Sequence, residues 1–387
     1  MCREFLLGYS LIILLLSSGL TINLTSRQIP DPDFQSGMSY VWYWRDTYLS
    51  ADSDSSLVKL AETNTRWVGL ITTWYQDNKS STTIYPDPQK TPLDSSIVHA
   101  IQKIHSLEMK VMLKPHVDCV DNTFRQYIEP SDWDEWFESY RNFINHYAVI
   151  AQENGVEQFC IGVELEKTES HDHNWRSVIS EVRSQFGGPI IYAANWSNYN
   201  NVSWWDDLDY VGINAYFPLT NKSDPTVEEL KSTWKGWVEE IESWRTDVDK
   251  QVIFTEIGYV SLNGTNEKPW EGSVSQHGHW SGEIDLQEQA DCYEAAFQTL
   301  WNKTWLEGLY WWAWIPWIDA GGSSDGSYTP QNKPAQTIIT SWYAEISGPY
   351  KPGVPRTLLI LTIIIIVGII IFPLKKIIDS RSKKNKG

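Results

Sequence analysis

Two glutamates sit where a sequence of this pattern can do chemistry. Glu164 closes the apolar run QFCIGVEL (158–165), and Glu256 lies in QVIFTEIGY (251–259). Similar runs end in other polar or aromatic residues: Lys114, His116 and Asp118 at KVMLKP (110–115), Asn195 and Trp196 at PIIYAAN (189–195), Asn214 and Tyr216 in YVGINAY (210–216), Trp312 and Trp314 in GLYWWAW (308–314). Two opposed carboxyl groups can divide the breaking of a glycosidic bond. One protonates the leaving oxygen, and the other attacks the sugar or activates water. Either glutamate could instead be half of a buried salt bridge with Lys114. Two such carboxylates in an aromatic-rich setting favour the catalytic reading. Glu166 would share a strand face with Glu164 and competes for the acid role.

The elements that must position these residues alternate between β-rich and amphipathic helical runs. Strands are predicted at 38–44, 66–74, 110–115, 158–165, 189–195, 210–216, 251–259 and 308–314. Helices are predicted between them, with Asp94 as an N-cap and a long helix over 131–155 closing at Gly155. Eight such units over residues 30–350 imply an α/β fold, a (β/α)8 TIM barrel, whose active residues gather at the C-terminal ends of the strands. That end is where all the residues above lie.

Two apolar segments bracket the barrel. Residues 1–22 contain LIILLL and have the pattern of a signal peptide or signal anchor. Residues 357–374 are 18 uncharged residues, roughly 27 Å as a helix, and predict a transmembrane helix. The tail 375–387 carries six basic residues and one acid. The positive-inside rule puts it in the cytoplasm and the barrel outside the cell membrane. A charge of −18 overall and +5 in the tail leaves −23 elsewhere. Such a surface disfavours nucleic acid and anionic polymers. Seven Asn-x-Ser/Thr sequons, Asn195 among them, suit an exported glycoprotein. Outside the leader there are three cysteines, an odd number, and a Cys119–Cys160 pairing stays open. His277 and His279 lack a third ligand for zinc, so no metal or other cofactor is expected.

The chain has 22 tryptophans. Core packing accounts for many of them. Those at strand ends and in loops (Trp42, Trp44, Trp74, Trp196, Trp270, Trp280, Trp314, Trp317) suit the C–H faces of sugars, and about a third are expected to line a glycan cleft. The motifs WVGLITTWYQD (67–77), VMLKPHVD (111–118), FCIGVELEKT (159–168), YVGINAYFPL (210–219) and VIFTEIGY (252–259), in that order, resemble glycoside hydrolase family 113 of the clan A retaining glycosidases, typified by β-1,4-mannanases. The resemblance implies that Glu164 is the acid/base, Glu256 the nucleophile and Tyr216 its hydrogen-bond partner. It implies that Lys114, His116 and Asn195 contact sugar or hold the carboxylates. Trp44, Trp74, Trp196, Asn214 and Trp314 complete the expected substrate contacts. Val163 stands where many clan members place Asn, so the contact to the sugar 2-hydroxyl must come from elsewhere. The expected protein is a monomer acting on a β-linked polysaccharide or oligosaccharide, foremost β-1,4-mannan. A transglycosylase of envelope glycan, or an inactive glycan-binding barrel, are the alternatives.

Overall fold

The computed structural model describes residues 33–272 and 282–347. The two apolar segments, the basic tail, His277, His279 and Trp280 lie outside the described residues. Among the described residues no helix is long and apolar enough to cross a membrane.

Eight strands close into one barrel in chain order: β1 (Gln35–Tyr40), β2 (Trp67–Gln76), β3 (Lys110–Cys119), β4 (Gln158–Val163), β5 (Ile190–Asn195), β6 (Tyr210–Asn214), β7 (Val252–Ile257) and β8 (Leu306–Trp314). Every neighbouring pair is parallel. The strands are buried on both faces, which is why they read as near-continuous apolar runs. Inside the barrel Trp67, Met112, Cys160, Val163, Ile191, Ala193, Ile253 and Tyr310 pack as a separate cluster. The larger apolar layer lies between strands and helices.

The helices are α1 (Ala51–Glu62), α2 (Asp94–Ser106), α3 (Trp133–Glu153), α4 (Asp172–Gln185), α5 (Val227–Trp244), α6 (Leu286–Leu300) and α7 (Pro334–Ser347). Their starts are written in side chains. Asp132 accepts from Glu135 N–H before α3, Thr226 and Glu229 form a capping box on α5, and Asp285 accepts from Gln287 and Glu288 N–H before α6. Asp94 is not the cap of α2: Leu93 precedes the helix, and the Asp94 carboxylate bonds His146 Nε2 on α3 at 2.9 Å. Gly155 follows α3 at φ +67°, the left-handed turn expected of it.

Three strands carry register shifts near their C-terminal ends. Between Cys160 and Val163 of β4, three steps oppose two on β5; between Phe254 and Glu256 of β7, two oppose one on β6; between Trp311 and Trp314 of β8, three oppose two on β1. An extra residue of this kind turns the following side chain to a new direction. These three strands deliver Glu164, Glu256 and Trp312. Cys119, Cys160 and Cys292 are all buried free thiols, so the open Cys119–Cys160 pairing is not made.

Candidate active site

Glu256, the last residue but one of β7, is a buried carboxylate with both oxygens engaged. Lys114 Nζ, reaching across from β3, donates to Oε1 at 2.5 Å, and Tyr216 Oη donates to Oε2 at 2.8 Å. Lys114 is fully buried and also bonds Asn214 Oδ1 (3.3 Å) and the Thr255 carbonyl (3.2 Å). A buried amine costs much desolvation unless it is paired in this way. The salt bridge open from sequence therefore exists, and it is made by Glu256.

Glu164 has a different environment. It follows β4 in the left-handed region, φ +52°, and is buried. Burial, and next the negative Glu256, push its carboxyl up to about 7, while Arg125, Asn214 and Lys114 pull the other way. Arg125 Nη1 stands 3.7 Å from Glu164 Oε2. The guanidinium is aimed by Asp118, whose Oδ1 accepts from Nε at 3.0 Å and from Nη2 at 2.7 Å. Two carboxyls thus share one site: Glu256 is hydrogen-bonded by Lys114 and Tyr216 on both oxygens, while Glu164, facing Arg125 at 3.7 Å, is pushed toward its neutral acid. That is the division of labour general acid catalysis needs near neutral pH. Glu166 is not a rival by strand alternation, because β4 stops at Val163. Glu166 opens a short 3-10 turn (Glu166–Thr168) instead.

Both carboxyls line a cavity of about 530 Å³. Asn195, Trp196 and Tyr216 join them, with Trp312 and Tyr328 from the β8 side and Trp270 from the loop after β7. Trp196 and Trp270 stack at 5.3 Å. Asn195 Nδ2 donates to Gln126 Oε1 at 3.0 Å, and Asn195 is only 7% exposed, which makes it a poor glycan acceptor whatever its sequon. A second cavity, about 460 Å³, adjoins the first through Tyr43, Phe124 and Arg125, which line both. Trp42, Trp44 and Lys90 line this outer part. Trp44 is half exposed and has φ +147°, an unusual backbone for a bulky residue and one that points to function.

The remaining expected contacts lie elsewhere. Lys114 and Asn214 sit behind Glu256 with no exposed surface. His116 is buried and lies parallel to Trp312 at 6.2 Å; neither ring nitrogen has a hydrogen-bond partner, and burial with the nearby Arg125 and Lys114 drives its pKa well down, leaving it neutral. Trp74 packs against Phe143 and donates to Tyr147 Oη at 2.9 Å, outside both cavities. Trp314 is buried in the outer core and donates to Ser56 Oγ on α1 at 2.9 Å. Among the described residues Trp42, Trp44, Trp196, Trp270 and Trp312 line the cavities, and most other tryptophans are core. Sequence reasoning missed Arg125, Gln126, Tyr43 and Tyr328. The signal for Arg125 was its isolation: it is the one base between Asp118 and Asp132. Among the described residues no group of His, Cys, Asp or Glu could hold a metal ion.

Comparison with known proteins agrees with the geometry. No curated protein sequence matches the chain. Among solved structures, a family 113 β-mannanase from Alicyclobacillus acidocaldarius in complex with ManMIm is 29% identical, with a TM-score of 0.73 over 81% of this chain and 98% of that one. A second β-1,4-mannanase complex of the same family is 29% identical, with a TM-score of 0.72 over 80% and 98%. A β-glucuronidase from Ruminococcus gnavus, 12% identical with a TM-score of 0.54 over 80% of this chain and 50% of that one, shares the barrel alone. The pattern of Glycoside Hydrolase Family 113 matches residues 38–333, from β1 to the residue before α7. This chain is a glycoside hydrolase and belongs to glycoside hydrolase family 113.

Proposed function

We propose that the protein hydrolyses a β-1,4-mannan or its oligosaccharides by double displacement with retention. The observation that carries this is the unequal pair of buried carboxyls. Glu256, with Lys114 and Tyr216 fixing both oxygens, attacks the anomeric carbon as nucleophile. Glu164, raised to about 7, protonates the leaving oxygen and then, as a carboxylate, takes a proton from the water that releases the sugar. Tyr216 orients Glu256. Asn195, Trp196 and Trp312 border the reacting sugar. The adjoining outer cavity, with Trp44 at its edge, accommodates further units of the chain, which supports a polymeric substrate. Mannan as the sugar rests on the family 113 mannanases that the barrel matches at 29% identity.

The test is incubation of the barrel with β-linked manno-, gluco- and xylo-oligosaccharides of increasing length. Product masses and the anomeric configuration of the first product by NMR are the readouts. Hydrolysis of manno-oligosaccharides with a β product and a rate rising with length supports the reading. An initial α product refutes retention, and products longer than the substrate show glycosyl transfer. The apolar segments and basic tail support a barrel held outside the cell membrane by residues 357–374. Protease applied to intact cells should then remove the barrel and spare a C-terminal tag.

A further inference from the structure

Glu164 has a backbone, φ +52°, that a side chain other than glycine adopts only when its surroundings impose it. Glu164 N–H donates to the Ala193 carbonyl at 2.8 Å. The next amide, Leu165 N–H, donates to the phenol oxygen of Tyr192 at 3.0 Å. That phenol donates in turn to Glu169 Oε1 at 2.7 Å, and Asn198 Nδ2 donates to Glu169 Oε2 at 2.5 Å. Trp175 and Trp204 enclose the Tyr192 ring at 5.2 and 4.9 Å, and Trp204 Nε1 donates to the Glu169 carbonyl at 3.0 Å. Glu169 is 2% exposed, and burial pushes its carboxyl up to about 8 despite its two hydrogen bonds. It touches neither cavity, and no step of the proposed reaction uses it.

A buried carboxyl is costly, and a loop after a strand can be anchored more cheaply by apolar packing. This one holds Asn198 with one oxygen and, with the other, the phenol that accepts from the amide next to the acid/base. We propose that Glu169 and Tyr192 are positioning residues that hold Leu165 N–H, and through it aim the Glu164 carboxyl at the leaving oxygen. The proposal rests on Glu164 being the acid/base.

The experiment compares kcat/KM for two substrates with one glycone, a manno-oligosaccharide and a dinitrophenyl glycoside. kcat/KM covers steps through formation of the glycosyl-enzyme, where the activated aryl group needs no proton. Tyr192→Phe keeps the ring and removes the hydroxyl, and Glu169→Leu removes the acceptor. Both should lower kcat/KM for the oligosaccharide about 10- to 100-fold, the cost of a misaimed acid, and leave the aryl glycoside within about 3-fold. Glu169→Gln still offers Tyr192 an oxygen and should recover most of the loss. A parallel fall on both substrates marks a merely structural role and overturns the proposal, as does no fall on either. Glu164→Ala is the benchmark. If it too affects both substrates alike, the acid/base assignment fails, and this proposal with it.

Discussion

Arg125→Met removes the cation that faces Glu164 while keeping an unbranched side chain in the cavity wall. Burial and Glu256 raise the Glu164 carboxyl to about 7, and Arg125 is the first of the groups opposing them. The two charges lie 3.7 Å apart. At an effective dielectric constant of about 20, unit charges at that range interact by roughly 4 kcal/mol, or about three pH units. Water entering the vacated space screens what remains, so the expected rise is about one to two units. Asp118, no longer paired with Arg125, adds its repulsion in the same direction. The assay is kcat/KM against pH on an oligosaccharide, which reports the free enzyme's acid. Its alkaline limb should lie near pH 7 in the wild type and move to about 8–9 in the variant. Maximal kcat/KM can also fall, since Arg125 lines the cavity, but the limb's position is independent of that loss. A limb that stays in place, or moves down, would refute the electrostatic account of this site.

Glu164→Gln should stabilise the fold at pH 8 and not at pH 4. The wild-type carboxyl, raised from 4.5 to about 7 on folding, loses up to about 3 kcal/mol of stability as pH rises through that window. Urea melts at the two pH values read the difference, and an equal offset at both would contradict it. Glu164→Ala should regain turnover of an aryl glycoside with azide and release the β-glycosyl azide, whereas Glu256→Ala should give the α-azide; rescue at Glu166→Ala instead would move the acid/base there. Lys114→Met strands the Glu256 carboxylate in the interior and should cost about 3–5 kcal/mol of stability at neutral pH, measured by denaturant unfolding. A cost under about 1 kcal/mol would mean that water already reaches the pair.

The barrel was legible because its strands are buried on both faces and its helices carry amphipathic spacing, two signals that need no tertiary information. Strand ends were less so. MSYVWYW reads as one strand to Trp44, yet β1 stops at Tyr40, and the rest turns over the mouth. Glu166 was a rival only while β4 ran past Val163; the turn at Glu164 cancels the alternation that paired them. Trp312 and Trp314 should share a face by the same rule. The extra residue in β8 opposite Met38–Tyr40 breaks that rule, leaving Trp312 at the cavity and Trp314 in the core against Ser56.

Side chains that come from loops left a fainter trace. Arg125 and Gln126 belong to a short 3-10 turn between β3 and α3, where no periodicity marks a residue as inward. Trp270 follows β7 by more than a dozen residues and meets Trp196 only through the fold. The two glutamates could be named from the sequence because each is the carboxyl late in an apolar run that reads as a strand, even where the strand's exact end was misplaced. Their separate roles came only from the family resemblance, since both are the same residue type in similar apolar runs. Lys114 meets Glu256 from a strand on the other side of the barrel, and Arg125 meets Glu164 from a loop. Burial and Glu256 raise the Glu164 carboxyl while Arg125 opposes them, so the surroundings and pairings of that carboxyl, not its residue type, set how firmly it keeps a proton near neutral pH. Such pairings exist only once the barrel has closed.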